Sequence, residues 1–451
     1  ETLCDRERCP LSVIGTLTDD GRLVVTDFEF DNRPVDMPMQ MLLGNPPKMT
    51  RDVVRVSHDT TGIDLADITL EDAVYRVLRF PAVANKGFLI HIGDRTVGGL
   101  SARDQLIGPW QVPVSDVAIT LAGFEGVKGE AMAMGERTPL AAFNAPASGR
   151  MAVAESITNI AAAAIDGIDK VRLSANWMAA AGHSGEDASL FDTVKTVAND
   201  MCRKLGIAIP VGKDSLSMRA RWQQDGEDYQ VVAPVSLIVS AFAPVSDATR
   251  QLTPQLRAAG EQTYLLLFDL GGGANRLGGS CLAQAFNRVG GEAPDIDEPA
   301  MLGRFFAAIQ ELSSRDMLLA YHDRSDGGLL ATVAEMMFAS RLGVSLQLAG
   351  SRESMLAQLF SEEAGAVVQV TKARLPQVQM LLDRHGVTAQ AIGRVEREPV
   401  LTIRDGGNAP LRFERKDLQR AWSETSYRIQ ALRDNPATAK EEFDRILDDD
   451  D

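Results

Sequence analysis

The chain has 451 residues, 45% apolar and 24% charged, the make-up of an ordinary globular protein with room for roughly two to four domains. Its formal net charge of −16 argues against a binder of the nucleic-acid phosphate backbone, which needs a basic stripe. Nucleotide binding stays open, because a metal can bridge acidic side chains to phosphate. No apolar run reaches the ~20 residues of a membrane helix, and no signal peptide opens the chain. Cys4, Cys9, Cys202 and Cys281 read as reduced thiols of a cytoplasmic protein, and the single C-x4-C pair argues only weakly for zinc. The first residue is Glu and the sequence starts mid-pattern, so a piece of a longer protein is expected.

Residues 1–55 read as an end piece. LSVIGTLTDDGRLVVTDFEF predicts two strands around a polar turn at Asp20 and Gly21, and PVDMPMQMLLGNPPKM, without a period, predicts a linker. A first full unit is expected over 56–250. In it Thr69 caps a helix through LEDAVYRVLRF, and GFLIHIG and VSDVAITL read as strands. An Ala-rich helix runs from Met151 to Ile165, KVRLSANWM is a strand, and a helix ends at Gly206. IAIPVGKDSLSM reads as a strand followed by a tight loop, and VVAPVSLIVSAFAPV as a long strand. The second unit, 251–406, opens with the strand TYLLLFDL and the loop GGGANRLGGS. The strand MLLAYHD, the helix LLATVAEMMFAS and three further strands follow. The charged stretch 407–451 reads as helical and then as a linker. The fold class is therefore α+β, in mixed α/β layers.

Several acids and amides stand in apolar settings. Glu155 and Asn159 are four apart on the Ala-rich helix, so they share one face about 6 Å apart along the axis. Asp116 falls inside an expected apolar strand, where an unpaired charge is costly, and Asp323 ends another strand just before Gly327 and Gly328. Together these four form an all-oxygen set suited to Mg²⁺. The alternative is that each has its own capping or ion-pair role. GGGANRLGGS, between a strand and a helix, could hold phosphate on its amides or simply form a turn. Lys213, Asp214, Ser215 and Ser217 form a possible anion loop, and Lys86 beside Gly87 could meet a phosphate. Of His58, His91, His183, His322 and His385, only His322 adjoins a candidate acid, and a lone His there reads as structural. Neither a Ser–His–Asp pattern nor G-x-S-x-G is present, which disfavours nucleophilic hydrolysis.

NKGFLIHIGDRTVGGLSARDQLIGPWQVPVSDVAIT, AESITNI, SANWMAAAGHSGEDASL, IPVGKDSLSM and AYHDRSDGGL, in that order, resemble the large single-chain phosphoribosylformylglycinamidine synthases of purine biosynthesis (FGAR amidotransferases). The resemblance spans nearly the whole chain. It implies the end of one aminoimidazole-ribonucleotide-synthetase-like copy, a complete second copy with N- and C-terminal domains, and the start of a connection to a glutaminase. The glutaminase residues, the histidine proposed to act in the synthetase half and the main ATP loop would lie elsewhere, so no catalytic residue is expected here. The resemblance further implies an auxiliary, structural Mg²⁺–ADP site. Asp116, Glu155, Asn159 and Asp323 would ligate the metal, with Ser115, Ser325 and Lys86 on the nucleotide. Expected partners are ATP or ADP, the ribonucleotide substrate, the missing synthetase half and the glutaminase, but neither nucleic acid nor membrane. Rival expectations are a catalytically silent, nucleotide-stabilised scaffold, or a relative such as a selenophosphate synthetase. An apolar half-interface left without its partner copy could promote self-association.

Overall fold

The computed structural model describes residues 1–44, 50–57, 60–93, 95–404 and 409–448. His58, Asp94, the 407 boundary and the last three acids of the tail lie outside the described residues. Glu1–Asp52 form one compact unit and Val53–Asp451 another.

The first unit contains α1 (Thr2–Arg6), β1 (Arg22–Asp27), β2 (Asn32–Pro38) and α2 (Met39–Leu43). β1 and β2 pair antiparallel, with Val25 opposite Val35. The hairpin turn therefore follows Asp27 instead of centring on Asp20 and Gly21. The Asp27 carboxylate accepts from the N–H groups of Glu29 and Phe30, at 2.9 and 3.2 Å, and closes the turn. Residues expected to be linker supply β2. Its prolines are tolerated because each strand of a two-stranded ribbon has a free edge that needs no N–H donor.

The second unit begins with α3 (Leu70–Arg79), capped as expected: the Thr69 hydroxyl accepts from Asp72 N–H at 3.2 Å. There follow α4 (Gly87–Ile90), β3 (Ser101–Arg103), β4 (Ala118–Leu121), β5 (Gly129–Glu136) and α5 (Ala141–Ile160). Next come β6 (Arg172–Met178), α6 (Glu186–Thr196), α7 (Arg203–Leu205), β7 (Ala208–Ser215), β8 (Arg219–Gln224), β9 (Glu227–Val232) and β10 (Ser236–Val245). GFLIHIG is thus a helical turn, not a strand. The Asn85 side chain accepts from Gly87 N–H at 2.7 Å where the turn begins, and an apolar run this short carries no period that separates the two states. The central helix ends five residues earlier than expected, at Ile160, and starts earlier, at Ala141, with a break at Asn144 before Pro146.

Six strands form one sheet in the order β3-β4-β5-β10-β6-β7, and only the β6–β7 pair is parallel. β5 alternates strictly: Gly129, Ala131, Ala133 and Gly135 are buried, while Glu130, Met134 and Glu136 are exposed. The small inward residues let α5 lie close on that face. The outer face leaves Met134 59% and Phe242 42% exposed.

The remaining elements are β11 (Thr263–Asp269), α8 (Cys281–Ala285), α9 (Pro299–Ser314), β12 (Ala320–Asp323), α10 (Gly328–Ser340), β13 (Gly343–Gln347) and α11 (Arg352–Phe360). β14 (Gly365–Thr371), α12 (Leu375–His385), β15 (Gln390–Glu396), β16 (Val400–Arg404), β17 (Leu411–Glu414), α13 (Arg415–Arg433) and α14 (Pro436–Asp444) complete the chain. Their sheet has the order β12-β14-β11-β15-β13-β16-β17. β11 shows why its sequence is a continuous apolar run. Leu266 and Phe268 enter the core shared with α5 and α9, whereas Leu265 and Leu267 enter a second core with α3 and α10. A strand covered on both faces has no polar side to display. Among the described residues no helix is long and apolar enough to cross a membrane.

Candidate metal and nucleotide site

The two sheets meet through α5 and β12. Gly135 makes the first half of this junction possible: a Cβ there would stand 2.1 Å from Ala152 O and 2.5 Å from Ser156 N. With no side chain in the way, β5 and α5 come into direct contact. Glu155 then accepts from Glu136 N–H at 2.8 Å, and the Asn159 amide donates to Met134 O at 3.0 Å. That bond uses the Asn159 nitrogen and leaves its carbonyl oxygen as the only atom fit for a cation. On the other side, the buried Tyr321 hydroxyl donates to Thr158 O at 2.6 Å and pins β12 to the last turn of α5.

At the end of β12 the structure brings together Asp116, His322 and Asp323, all buried. One ligand atom from each lies within 4.8 Å of the others. Asp116 is not inside a strand, as its apolar neighbours predict, but in the bend just before β4. Its Oδ1 accepts from Asp323 N–H at 3.1 Å and lies 2.7 Å from His322 Nδ1. The other His322 nitrogen, Nε2, lies 2.8 Å from Glu335 Oε2 on α10. Burial opposes a charged imidazole, but carboxylates on both nitrogens outweigh it and raise the His322 pKa well above its ordinary value. Burial, with Asp116 adding to it and His322 opposing, pushes Asp323 up to about 8. Burial also raises Glu155; Arg137 counteracts this, while Asp326 and Asp323 reinforce it. Glu155 therefore shares the field of this acid cluster.

Asp116 Oδ2 and Asp323 Oδ2 are buried without a hydrogen-bond partner. Such oxygens are costly unless something positive meets them. The donor set thus fits a hard divalent cation.

Ser115 and Ser325 flank the two aspartates. Ser115 Oγ donates to Val117 O at 2.8 Å, and Ser325 O accepts from Gly328 N–H at 3.0 Å, at the start of α10. Lys86 turns its ammonium onto the carbonyls of Ala82 and Ala84. Burial lowers its pKa, while Glu335 and Asp326 oppose that, so it lies within reach of the same field.

Other expected features do not join the cluster. Lys213, Asp214 and Ser215 belong to β7 itself, at the sheet edge opposite β3, instead of forming a loop. In GGGANRLGGS, the amides of Gly271 and Gly273 already donate to Asp269, at 3.1 and 2.7 Å. The loop is a turn built on its own carboxylate.

Sequence reasoning passed over Glu335, Arg137 and Glu362. The last two form a buried pair at 2.6 Å beside Cys281 and Asp326. Glu335 carried a usable signal, an acid within the apolar run LLATVAEMMFAS, the same signal that singled out Asp116.

Residues 85–244 match the family described as the FGAR-AT PurM_N-like domain, and residues 266–406 the AIR synthase related protein, C-terminal domain. The chain therefore has PurM-like N- and C-terminal domains. Among solved structures it is similar to PurLQS from Thermotoga maritima (11% identity, TM-score 0.54, 79% of this chain and 52% of that one). It is also similar to T. maritima PurL complexed with FGAR (13%, 0.53, 78% and 53%). A third similar structure is phosphoribosylformylglycinamidine synthase II from the same organism (12%, 0.50, 78% and 52%). At these identities the likeness is one of fold. The chain spans about half the length of these structures.

Proposed function

We propose that this chain belongs to the FGAR amidotransferases and carries an Mg²⁺–ADP site in which Asp116, Glu155, Asn159 and Asp323 hold the metal. Ser115, Ser325 and Lys86 would meet the nucleotide. The observation that carries this reading is the pair of buried, unpartnered carboxylate oxygens on Asp116 and Asp323. The order of the two matched domains supports the family. When bound, Mg²⁺ would neutralise the acids and bridge them to phosphate oxygens. The chain's own residues orient these ligands: Glu136 and Met134 hold Glu155 and Asn159, and Tyr321 holds β12 against α5.

For the longer assembly we propose the ligase reaction of purine biosynthesis. ATP phosphorylates the formamide oxygen of formylglycinamide ribonucleotide, ammonia from glutamine displaces phosphate, and the amidine forms. The domain division proposed is 1–55, 56–250, 251–406 and 407–451. The half-length coverage favours a second reading for the chain by itself, a nucleotide-stabilised scaffold without turnover. ATP hydrolysis coupled to amidine formation by this chain with substrate and ammonia would sink that second reading.

The direct test denatures the purified chain and assays released nucleotide and magnesium. Near-stoichiometric ADP and Mg²⁺ are expected. Glu155→Ala should lower Mg²⁺-dependent ADP affinity at least about tenfold, equivalent to about 1.4 kcal/mol. Unchanged affinity in a folded variant removes Glu155 from the site.

A further inference from the structure

His322 is the one group of the buried trio whose chemistry leaves the metal type open. Two carboxylates with a ligating imidazole form a mixed site suited to Zn²⁺ or Ni²⁺, whereas carboxylates without it form an oxygen site suited to Mg²⁺ or Mn²⁺. The geometry decides between them. Both ring nitrogens already face carboxylate oxygens, Nδ1 to Asp116 at 2.7 Å and Nε2 to Glu335 at 2.8 Å. Neither has a lone pair directed at the cluster while it donates to an acid. Nδ1 also stands 3.9 Å from Asp323 Oδ1, beyond hydrogen-bonding distance.

We infer that His322 is a positioning residue, not a ligand. Its Nδ1 takes Asp116 Oδ1, so that Oδ2, the oxygen left without a partner, is the one presented to the cation. Glu335, reaching in from α10, holds the ring from behind and fixes its plane. Asp323 N–H adds a second hold on the same Asp116 oxygen. The pocket is thereby specified for hard cations although a histidine lines it. This rests on the cation site proposed above.

The test uses the full chain with Mn²⁺ and ADP. Electron spin-echo envelope modulation is recorded on protein with ordinary and with ¹⁵N-labelled histidine. Identical spectra are expected, because no ring nitrogen is bound to the metal. In parallel, Mn²⁺ affinity is measured for two folded variants. His322→Asn places an amide donor near the Nδ1 position and should keep affinity within about threefold. His322→Gln places it near Nε2, loses the bond to Asp116 and should weaken Mn²⁺ about 10- to 100-fold. A histidine-dependent change in the modulation overturns the positioning role, and so do equal affinities of the two variants, whether both normal or both lost. Failure of the unmodified chain to take up Mn²⁺ overturns the cation-site reading itself, and this inference with it.

Discussion

Two acid clusters lie close to the junction of the sheets, and they differ in how far their buried oxygens are satisfied. In the first, Asp116 and Asp323 each keep a buried oxygen without a partner. In the second, Cys281, Asp326 and Glu362 come equally close, within 4.8 Å, yet Glu362 is fully used. Its Oε1 accepts from the N–H groups of Cys281 and Gly327, at 2.9 and 2.8 Å, and its Oε2 from Arg137 at 2.6 Å. Proximity of acids is therefore common to both clusters; unmet acceptor capacity is what separates them. The saturated cluster ties α8 and the start of α10 to Arg137 and holds the frame. The open one keeps two buried acceptors unmet, which is what the proposed cation would satisfy.

Breaking the saturated cluster should have the largest effect. Arg137→Ala leaves Glu362 buried without its cation and should cost about 3–5 kcal/mol in urea unfolding. A loss below about 1 kcal/mol would mean that the pair is not structural. The open cluster should respond in the opposite sense. Burial and Asp116 hold the Asp323 carboxyl up at about 8, so near neutral pH the metal-free chain keeps it mostly protonated. Asp323→Asn puts a neutral amide of the same shape in its place, and the metal-free chain should melt no lower than the unmodified one. Its response to Mg²⁺ with ADP should vanish, an increment of about 2.7 kcal/mol at 100-fold excess over Kd. A lower melting point without metal, with the increment intact, would reverse the comparison.

The junction itself is tested by Gly135→Ala. The added methyl would push α5 from β5 and should cost about 1–3 kcal/mol while weakening Mg²⁺–ADP binding. Destabilisation with unaltered binding would show that the site does not depend on this close approach.

The smallest effect is a pH trend. Burial, opposed by Arg137, pushes Asp326 up to about 6 from an ordinary 3.8. Between these values the folded chain binds the extra proton, so this group's stabilising contribution is complete below pH 3.8 and lost as pH rises through 6. The stability of the unmodified chain relative to Asp326→Asn should fall across that window and then level off. A difference that does not vary with pH contradicts this assignment.

Glu155, Asn159 and Asp323 were legible because each breaks an apolar pattern, and a buried polar group needs a reason. Asp116 drew notice on the same ground, though its strand did not form there. The helix of GFLIHIG and the placement of β2 were not legible: short runs lack a period, and the Asp27 side chain closes the hairpin turn later than the Asp20–Gly21 turn signal suggests. Lys213 and the glycine loop show the converse. Their local chemistry suits anions, but one stands on an outer strand and the other has its amides taken by Asp269.

By itself the sequence determined what depends on local pattern: the Thr69 cap, the apolar strand run of β11 and the acids out of place among apolar neighbours. Only the tertiary structure decided which acids meet, which of their oxygens are satisfied, and that His322 faces Asp116 from 206 positions away. Period and propensity act over a few residues. Electrostatic satisfaction is a property of the packed interior, where every donor has already been assigned.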